Sequence, residues 1–281
     1  MTPLVTAAVL LAAVTHACWN ALAHRIPDKL VGFTLIAGGG ALIGLVMLPF
    51  TPVPAAGAWP YLIGSALIHI AYYALLMKSF RLGDFGQAYP IARGTAPLVV
   101  TLFAALFAHE VPDDWAAAGI ALSCAGLTGV ALWGLRGHRP HWSAIGAALA
   151  TGLTIAAYTV VDGLGVRASG SSLGYIAWLM TIQGVVIPAY TVWRRRGDSV
   201  ALLRPYAAVG LLGAALSVTA YGLVLWAQTR AALAPIAALR ESSIIVGAAI
   251  GAVFFKERFG APRIVAAGLL VVGIGLMLRA G

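Results

Sequence analysis

Two arginines at matched positions are the residues of this sequence most able to do chemistry. Arg93 and Arg240 lie 147 positions apart, and each falls inside an apolar stretch long enough to cross a bilayer. An arginine at mid-bilayer costs about 2.5 to 3.5 kcal/mol even on a mild insertion scale, so it requires a partner, water or a ligand. The two charges therefore predict a site for an anionic group between two related halves of the chain.

Prolines and carboxylates near these arginines allow two interpretations. A proline precedes each arginine, Pro90 in the first half and Pro235 in the second. Proline removes a backbone donor and favours a kink or a helix break, and broken helices near the bilayer midplane commonly bind substrates in inverted-repeat carriers. The alternative is that the arginines form charge pairs, for which Glu241 and Asp162 are the candidate partners.

Aromatic and polar side chains recur at helical spacing in two further stretches. His16, Trp19 and Asn20 fall on one helix face, and His69 and Tyr72 repeat part of the pattern. Aromatic faces stack on rings or enclose cations, and phenols add hydrogen bonds. The alternative is a polar seam between helices, with hydrogen bonds of about 0.6 to 2 kcal/mol. We expect these faces to line a cavity.

The residues expected to contact a substrate combine the arginines with these faces. Arg93 is the expected anchor for a carboxylate, with aromatic rings around the rest of the ligand. The candidate substrate-binding residues are His16, Trp19, Asn20, His69, Tyr72, Tyr89, Arg93, Tyr158, Trp178, Tyr221, Arg240 and Glu241. No catalytic residue, cofactor or metal ligand is expected.

The elements that must position these residues are membrane-spanning helices. Of the 281 residues, 61% are hydrophobic and 10% are charged, whereas soluble domains are about 25% charged. Ten apolar stretches approach or exceed the roughly 20 residues that a helix needs to cross the hydrocarbon. Because they lack the alternation of barrel strands, the prediction is an all-α membrane protein. The stretches are 3–23, 30–50, 59–77, 85–108, 115–135, 142–161, 173–193, 205–227, 231–255 and 262–278.

The basic residues indicate the orientation of these spans. Loops after odd-numbered spans carry 13 of the 18 lysines and arginines, and those after even-numbered spans and the ends carry only Arg167, Arg230 and Arg279. The positive-inside rule places the odd loops in the cytoplasm and both termini outside. Five spans per half is an odd number, so the halves must be inverted. We therefore predict ten transmembrane helices as two inverted five-helix repeats, 1–135 and 136–281, around a central cavity.

The same features exclude other classes of protein. A net charge of +9 is compatible with nucleic-acid binding, but the basic residues follow membrane sidedness instead. No Walker-type loop is present, which excludes direct ATP coupling. An intramembrane enzyme is not expected, because Asp162 and Glu241 are the only intramembrane carboxylates and no metal motif is present. The glycines at 247 and 251 fit a dimer seam or intramolecular packing, and we expect a monomer.

Glutamate-containing loops and glycine-rich last helices recur in both halves. Glu110 matches Glu257, and Gly126 matches Gly273, at the offset of 147. With ten spans in two inverted repeats, this arrangement resembles the EamA family of the drug/metabolite transporter superfamily, over residues 8–133 and 142–278. The resemblance implies a secondary carrier with a central cavity, and characterised members include amino-acid exporters.

The resulting expectation is a multi-pass carrier of the bacterial inner (cytoplasmic) membrane that exports amino acids or similar small metabolites by alternating access. Its partners would be the small-molecule substrate and membrane lipids. The segments 16–20 and 89–94 also resemble a subgroup linked to phosphonates. The alternatives are therefore an uptake permease for an anionic metabolite such as a phosphonate, or a membrane scaffold that transports nothing.

Overall fold

The computed structural model describes residues 1–82, 85–134, 142–254 and 261–279, with the side chains of some helix residues, Tyr89 among them, outside that description. All regular secondary structure in these ranges is helical, which confirms the all-α prediction. Helices α1 to α6 are Pro3–Arg25, Lys29–Met47, Trp59–Leu82, Phe85–Phe107, Asp114–Gly134 and Trp142–Ser169. Helices α7 to α13 are Ser172–Gly184, Val186–Arg195, Ser199–Leu203, Ala207–Gln228, Leu233–Arg240, Ser243–Phe254 and Ala261–Arg279.

Six segments within the described ranges are long and apolar enough to cross a membrane: Pro3–Ala23, Lys29–Phe50, Ala56–Leu76, Ile145–Ser169, Ser172–Arg195 and Ser199–Gln228. Two shorter apolar helices, Ile91–Phe107 and Ile264–Arg279, lie in predicted spans. Each of the ten predicted stretches contains a helix or a pair of helices. Within the described residues, only six of them are both long enough and apolar enough to cross a membrane. The count of ten spans therefore stays a prediction.

Packing between the two halves is symmetric under their exchange. Helix α10 is the second-half equivalent of α3, and α6 is the second-half equivalent of α1. Helix α3 packs against α6, and α10 packs against α1 in the same way. Helix α2 packs on α7, and α5 packs on α13, so equivalent helices meet each other directly. The tertiary contacts thus preserve the relationship between the halves that the sequence offsets indicate.

Equivalent helices run antiparallel, as inverted repeats require. A Cβ placed on Gly119, in the first part of α5, would lie 2.7 Å from the Cγ of Met277 near the end of α13. Gly126, further along α5, instead approaches Ala266 in the first part of α13. The order of contacts along one helix is therefore reversed along the other, and the absence of Cβ atoms permits this close approach.

The predicted break occurs in only one of the two arginine helices. Helix α4 is continuous from Phe85 to Phe107, across Pro90, whereas α11 ends at Arg240 and α12 begins at Ser243. Pro235 is the third residue of α11, in the first turn, where a missing backbone N–H costs little. The break therefore lies at residues 241–242, beyond the proline rather than at it.

Backbone groups at this break are satisfied by short-range bonds. The amides of Glu241 and Ser242 donate to the carbonyls three residues earlier, and the amide of Ile244 donates to the carbonyl of Glu241 over 2.9 Å. Unpaired backbone groups are costly in lipid, so a turn that bonds its own amides can be tolerated at membrane depth. The turn holds Arg240 at the end of α11 and Glu241 just before the start of α12.

A polar network ties the two halves together at the end of α6. Arg167 Nη1 lies 2.6 Å from Glu110 Oε1, and its other nitrogens donate to the carbonyls of Gln228 and Ala231. The second oxygen of Glu110 accepts from the amide of Leu233 over 2.7 Å, at the start of α11. We call these five residues the Glu110 network. It joins the loop after α4, the end of α6 and the connection between α10 and α11.

Candidate functional site

A cavity of about 70 Å³ lies between the two halves. Residues from both halves line it, and most are aromatic, small or polar. Its lining consists of Ala12, His16, Trp19, Ile36, Ala37, Gly40, His69, Tyr72, Tyr73, Tyr158, Met180, Gln183, Gly184, Ser217, Val218, Ala220, Tyr221, Val224 and Arg240. The cavity is smaller than the roughly 300 Å³ typical of the smallest ligand pockets. Helices must therefore move apart for a metabolite to enter.

Arg240 is the arginine that reaches this cavity. Its side chain is 5% exposed, and its Nε has no hydrogen-bond partner. Within the described part of the chain, the structure shows neither a hydrogen bond nor an ion pair to this guanidinium. The carboxyl end of α11 favours a cation in its last turn, which partly offsets burial of the charge. A buried guanidinium that faces a cavity in this way is suited to receive an anionic group.

Arg93 is held in a different environment behind the cavity wall. Its Nε lies 2.8 Å from Glu241 Oε2, and its Nη2 donates to Ser243 Oγ over 3.0 Å. Glu241 is fully buried, and Arg93 is 4% exposed. This ion pair joins α4 to the break between α11 and α12.

Four aromatic residues, His69, Tyr72, Tyr158 and Tyr221, form one wall of the cavity, which we call the aromatic box. The rings of His69 and Tyr158 are stacked with centroids 4.1 Å apart. Tyr72 meets Tyr158 edge to face at 5.7 Å, and Tyr221 meets His69 at 5.9 Å. Phenol rings present electron-rich faces and hydroxyl groups, so the box can hold an apolar side chain or an organic cation.

A fully buried carboxylate lies behind the aromatic box. Asp162 accepts hydrogen bonds from the hydroxyls of Tyr175, over 2.9 Å, and of Tyr221. Tyr221 lines the cavity, so its hydroxyl connects the box to this carboxylate. Within the box, His69 Nδ1 lies 3.1 Å from Ser65 Oγ and 2.9 Å from the Ser65 carbonyl oxygen. The cavity thus has a cationic group at Arg240 and an acidic group behind the box.

Both halves of the chain match one family. The family described as the EamA-like transporter family matches residues 3–132 and 142–279. The chain belongs to the EamA-like transporter family. It is therefore a multi-pass membrane transporter with the two-repeat architecture, which confirms the resemblance found in the sequence. Members of this family are transporters rather than enzymes, in agreement with the expectation of a non-enzyme.

The fold of this EamA-like transporter is also found among solved structures, of which 29 chains match. One crystal structure, described only as that of a protein, superposes with a TM-score of 0.77 over 100% of this chain and 99% of the other, at 15% sequence identity. At that identity the likeness shows the fold alone. No curated protein matches the chain.

The structure brings seven of the candidate residues of the EamA-like transporter together at the cavity: His16, Trp19, His69, Tyr72, Tyr158, Tyr221 and Arg240. Trp19 Nε1 donates to His16 Nδ1 over 3.3 Å, and the two rings meet edge to face. These side chains lie towards the carboxyl end of α1. Two of the three residues predicted to share one face of α1 thus line the cavity, and their contact with substrate stays a prediction.

The remaining candidates lie elsewhere or outside the described residues. Asn20 donates its amide to the carbonyl of His16 over 2.8 Å, and Trp178 packs against Trp59 at 4.9 Å. Arg93 and Glu241 form the ion pair behind the wall. The backbone of Tyr89 belongs to α4, but its side chain lies outside the described part of the chain.

Three polar lining residues were absent from the candidate set. They are Tyr73, Gln183 and Ser217. Ser217 lies four residues before Tyr221, and Gln183 is a polar residue in the middle of an apolar stretch. Both signals were visible in the sequence, because residues four apart share a helix face. The orientation of the helices decided which polar faces meet, and that orientation was not available from spacing alone.

Proposed function

We propose that this protein is a secondary carrier that exports amino acids or similar small zwitterionic metabolites across the bacterial inner membrane by alternating access. The observation that carries the proposal is Arg240, a buried guanidinium that faces the cavity and has no partner in the described ranges. The two-repeat family architecture supports the carrier class, whereas the direction of transport rests on the resemblance to amino-acid exporters.

Arg240 is the proposed anchor for the substrate carboxylate. Sequence reasoning gave this role to Arg93, but Arg93 is paired with Glu241 and lies outside the lining of the cavity. A guanidinium binds a carboxylate through two parallel N–H bonds, which fixes orientation as well as position. The proposal therefore moves the anchor from the first half of the protein to the second.

The aromatic box is the proposed site for the other end of the substrate. An ammonium group placed against Tyr72, Tyr158 or Tyr221 would gain cation–π attraction of about 0.5 to 2 kcal/mol. The negative charge of Asp162 behind Tyr221 adds to this attraction. A zwitterion would thus place its carboxylate at Arg240 and its ammonium at the box, with each charge near an opposite one.

The antiparallel helix pairs between the halves support alternating access. The Glu110 network closes the end of the protein at which α6 finishes, and an ion pair of 2.5 Å between Asp28 and Arg195 lies at the other end. Inverted repeats allow one half to rock against the other around a site near the midplane. We propose ten spans, with 1–135 and 136–281 as the repeats and both termini outside, for a protein that acts as a monomer.

Substrate counterflow in proteoliposomes tests the function directly. We expect saturable exchange of a labelled amino acid in the wild-type carrier, and a loss of at least tenfold for Arg240→Met, because a bidentate charged contact of about 1.5 to 3 kcal/mol disappears. Arg194→Gln, on an exposed residue, is the matched control and should exchange normally. Full counterflow by Arg240→Met would remove the anchor from the proposal.

Ligand binding distinguishes the proposed substrate from the alternative of an anionic metabolite such as a phosphonate. Two free arginines would suit a dianion, but Glu241 forms its ion pair with Arg93, so one guanidinium without a described ion-pair partner faces the cavity. This charge balance favours a single carboxylate. A thermal-shift screen against amino acids and phosphonates should therefore stabilise the protein with amino acids. Stabilisation by phosphonates alone would favour the uptake permease, and the absence of counterflow for every solute would favour a scaffold.

A further inference from the structure

The carboxylate of Asp162 has an unusual environment for a charged group in a membrane. It is fully buried on α6, and it accepts hydrogen bonds from two phenol hydroxyls, Tyr175 on α7 and Tyr221 on α10, with the Ser65 hydroxyl of α3 also close to it. No arginine or lysine within the described ranges forms an ion pair with it. Intramembrane carboxylates are costly and mark paths for ions and protons. Asp162 therefore needs a reason beyond packing.

Each helix against α6 contributes a defined group to this site. Helix α3 contributes His69, whose charge would interact with Asp162, and α7 and α10 contribute the two tyrosines. Helices α4 and α11 contribute the positive charges of Arg93 and Arg240. Both charges interact electrostatically with the hydroxyl of Tyr158, which lies one turn before Asp162 on α6. Arg93 is already balanced by Glu241. Arg240 thus lines the cavity and Asp162 lies behind Tyr221 in its wall, two opposite charges with no ion-pair partner described for either.

We propose that Asp162 is the exchangeable proton site of this carrier and that it couples export of the substrate to entry of a proton. The inference rests on the proposed function, since it requires a substrate ammonium at the aromatic box. When Asp162 is ionised, its charge attracts this ammonium across the ring of Tyr221. When Asp162 is protonated, the attraction is lost and the substrate is released.

The proton step reverses one hydrogen bond and breaks no bond in the protein. A proton from water on the outer side forms an O–H bond at a carboxylate oxygen of Asp162. The Tyr221 hydroxyl, which donates to Asp162 in the ionised state, then turns and accepts from the new carboxyl proton. After the carrier opens inward, the proton passes to water and the hydroxyl returns. One proton enters for each substrate that leaves.

Exchange of a proton for the substrate predicts that a pH gradient drives substrate accumulation. The direction of the gradient that works distinguishes antiport from symport. Wild-type proteoliposomes with an acidic lumen, clamped at zero voltage with potassium and valinomycin, should accumulate a labelled amino acid from outside. A difference of one pH unit supports up to about a tenfold concentration ratio for one-for-one exchange. Accumulation with the gradient reversed would indicate symport and overturn the proposal.

Counterflow without a gradient separates this proposal from the proposed function. If amino acids exchange but never respond to the pH gradient, the carrier stands and the proton coupling is wrong. If no amino acid exchanges at all, the proposed function fails and the coupling fails with it. Both results come from the wild-type protein, so neither depends on the folding of a variant.

Variants then assign the response to Asp162. Asp162→Asn should still exchange substrate, with a half-saturation concentration raised several-fold, but should lose accumulation driven by the gradient. Asp198→Asn makes the same change on an exposed residue and should behave as wild type. A wild-type gradient response in Asp162→Asn would overturn the assignment.

Tyr175→Phe gives a second reading if Asp162→Asn does not fold. Tyr175 is buried away from the cavity lining and donates only to the carboxylate. Removing a donor from the ionised form makes protonation easier. The midpoint of the transport pH profile should therefore move to higher pH, while the half-saturation concentration at high pH changes little. An unmoved profile would contradict the proton site.

Discussion

The two arginine helices occupy equivalent places in the repeats but have different structures. Helix α4 is continuous and carries Arg93 in an ion pair, whereas the second half is broken into α11 and α12 and leaves Arg240 facing the cavity. Glu241, at the break, has no acidic counterpart after Arg93, where Gly94 follows. One repeat thus supplies a structural arginine, and the other supplies the proposed ligand site.

Under the proposed function, this asymmetry would let a symmetric fold hold a single small substrate. Two identical arginine sites would leave two uncompensated charges in the centre of the membrane, each of which is costly. The turn at residues 241–242 places a carboxylate where it neutralises the arginine of the opposite repeat. The free charge that remains is about the amount that one carboxylate ligand can balance.

The largest expected effect is a loss of stability when the ion pair between Arg93 and Glu241 is broken. Arg93→Met should destabilise the protein by about 3 to 5 kcal/mol, because it leaves Glu241 buried without its partner. The double variant Arg93→Met with Glu241→Leu should recover most of this stability, since apolar replacement of a whole buried pair is often neutral. Unfolding by titration with a denaturing detergent measures both.

Transport by the double variant decides the role of Arg93. If Arg93 is structural, this variant should keep counterflow within a few-fold of wild type. Loss of counterflow in a double variant that is fully folded would return the anchor to Arg93 and erase the difference between the repeats. Arg240→Met supplies the contrast, because it leaves no described partner unpaired and should retain stability.

Much of this architecture was predictable from the sequence, because run length and charge sidedness are properties of single segments. The six candidate spans, the all-helical fold and the position of His16 and Trp19 on one face of α1 follow from local patterns. The break was placed only approximately, because a proline in the first turn of a helix does not interrupt it, and the start of α11 was not evident.

The partner of Arg93 required the tertiary structure. Glu241 adjoins Arg240 in sequence, yet it pairs with the arginine of the other half, since neighbouring residues on a helix point about 100° apart. Sequence reasoning gave both Glu241 and Asp162 as possible partners and could not choose between the two arginines. The choice depends on which face of α4 meets the turn, and that is set by packing of several helices.

A smaller effect, on substrate affinity, is expected from substitution of Tyr221. This residue joins the aromatic box to Asp162 and lies in the same half as Arg240. Tyr221→Phe removes the hydroxyl but retains the ring, and a hydrogen bond to a charged group contributes about 1.5 to 3 kcal/mol. We expect a marked weakening of amino-acid binding, measured by isothermal titration calorimetry. Tyr190→Phe, on α8 away from the cavity, is the control. Equal affinity in Tyr221→Phe and wild type would argue against a role for this wall.

The smallest effect concerns the start of the broken helix. Glu110 accepts from the amide of Leu233 with one oxygen and pairs with Arg167 through the other. Glu110→Gln retains an acceptor but loses the charge, and the pair is partly exposed, so its loss should cost no more than about 1 kcal/mol. Glu110→Ala also removes the acceptor and should cost about 0.5 to 2 kcal/mol more, as loss of a helix cap does.

Thermal unfolding of the two variants tests whether the second repeat depends on this cap. The order wild type, Glu110→Gln, Glu110→Ala is expected for the melting temperature. The matched residue, Glu257, lies outside the described residues, so the comparison between repeats must be made by experiment. If Glu257→Ala lowers the melting temperature as much as Glu110→Ala, both arginine helices are held at their starts in the same way. The asymmetry would then be confined to the turn at residues 241–242.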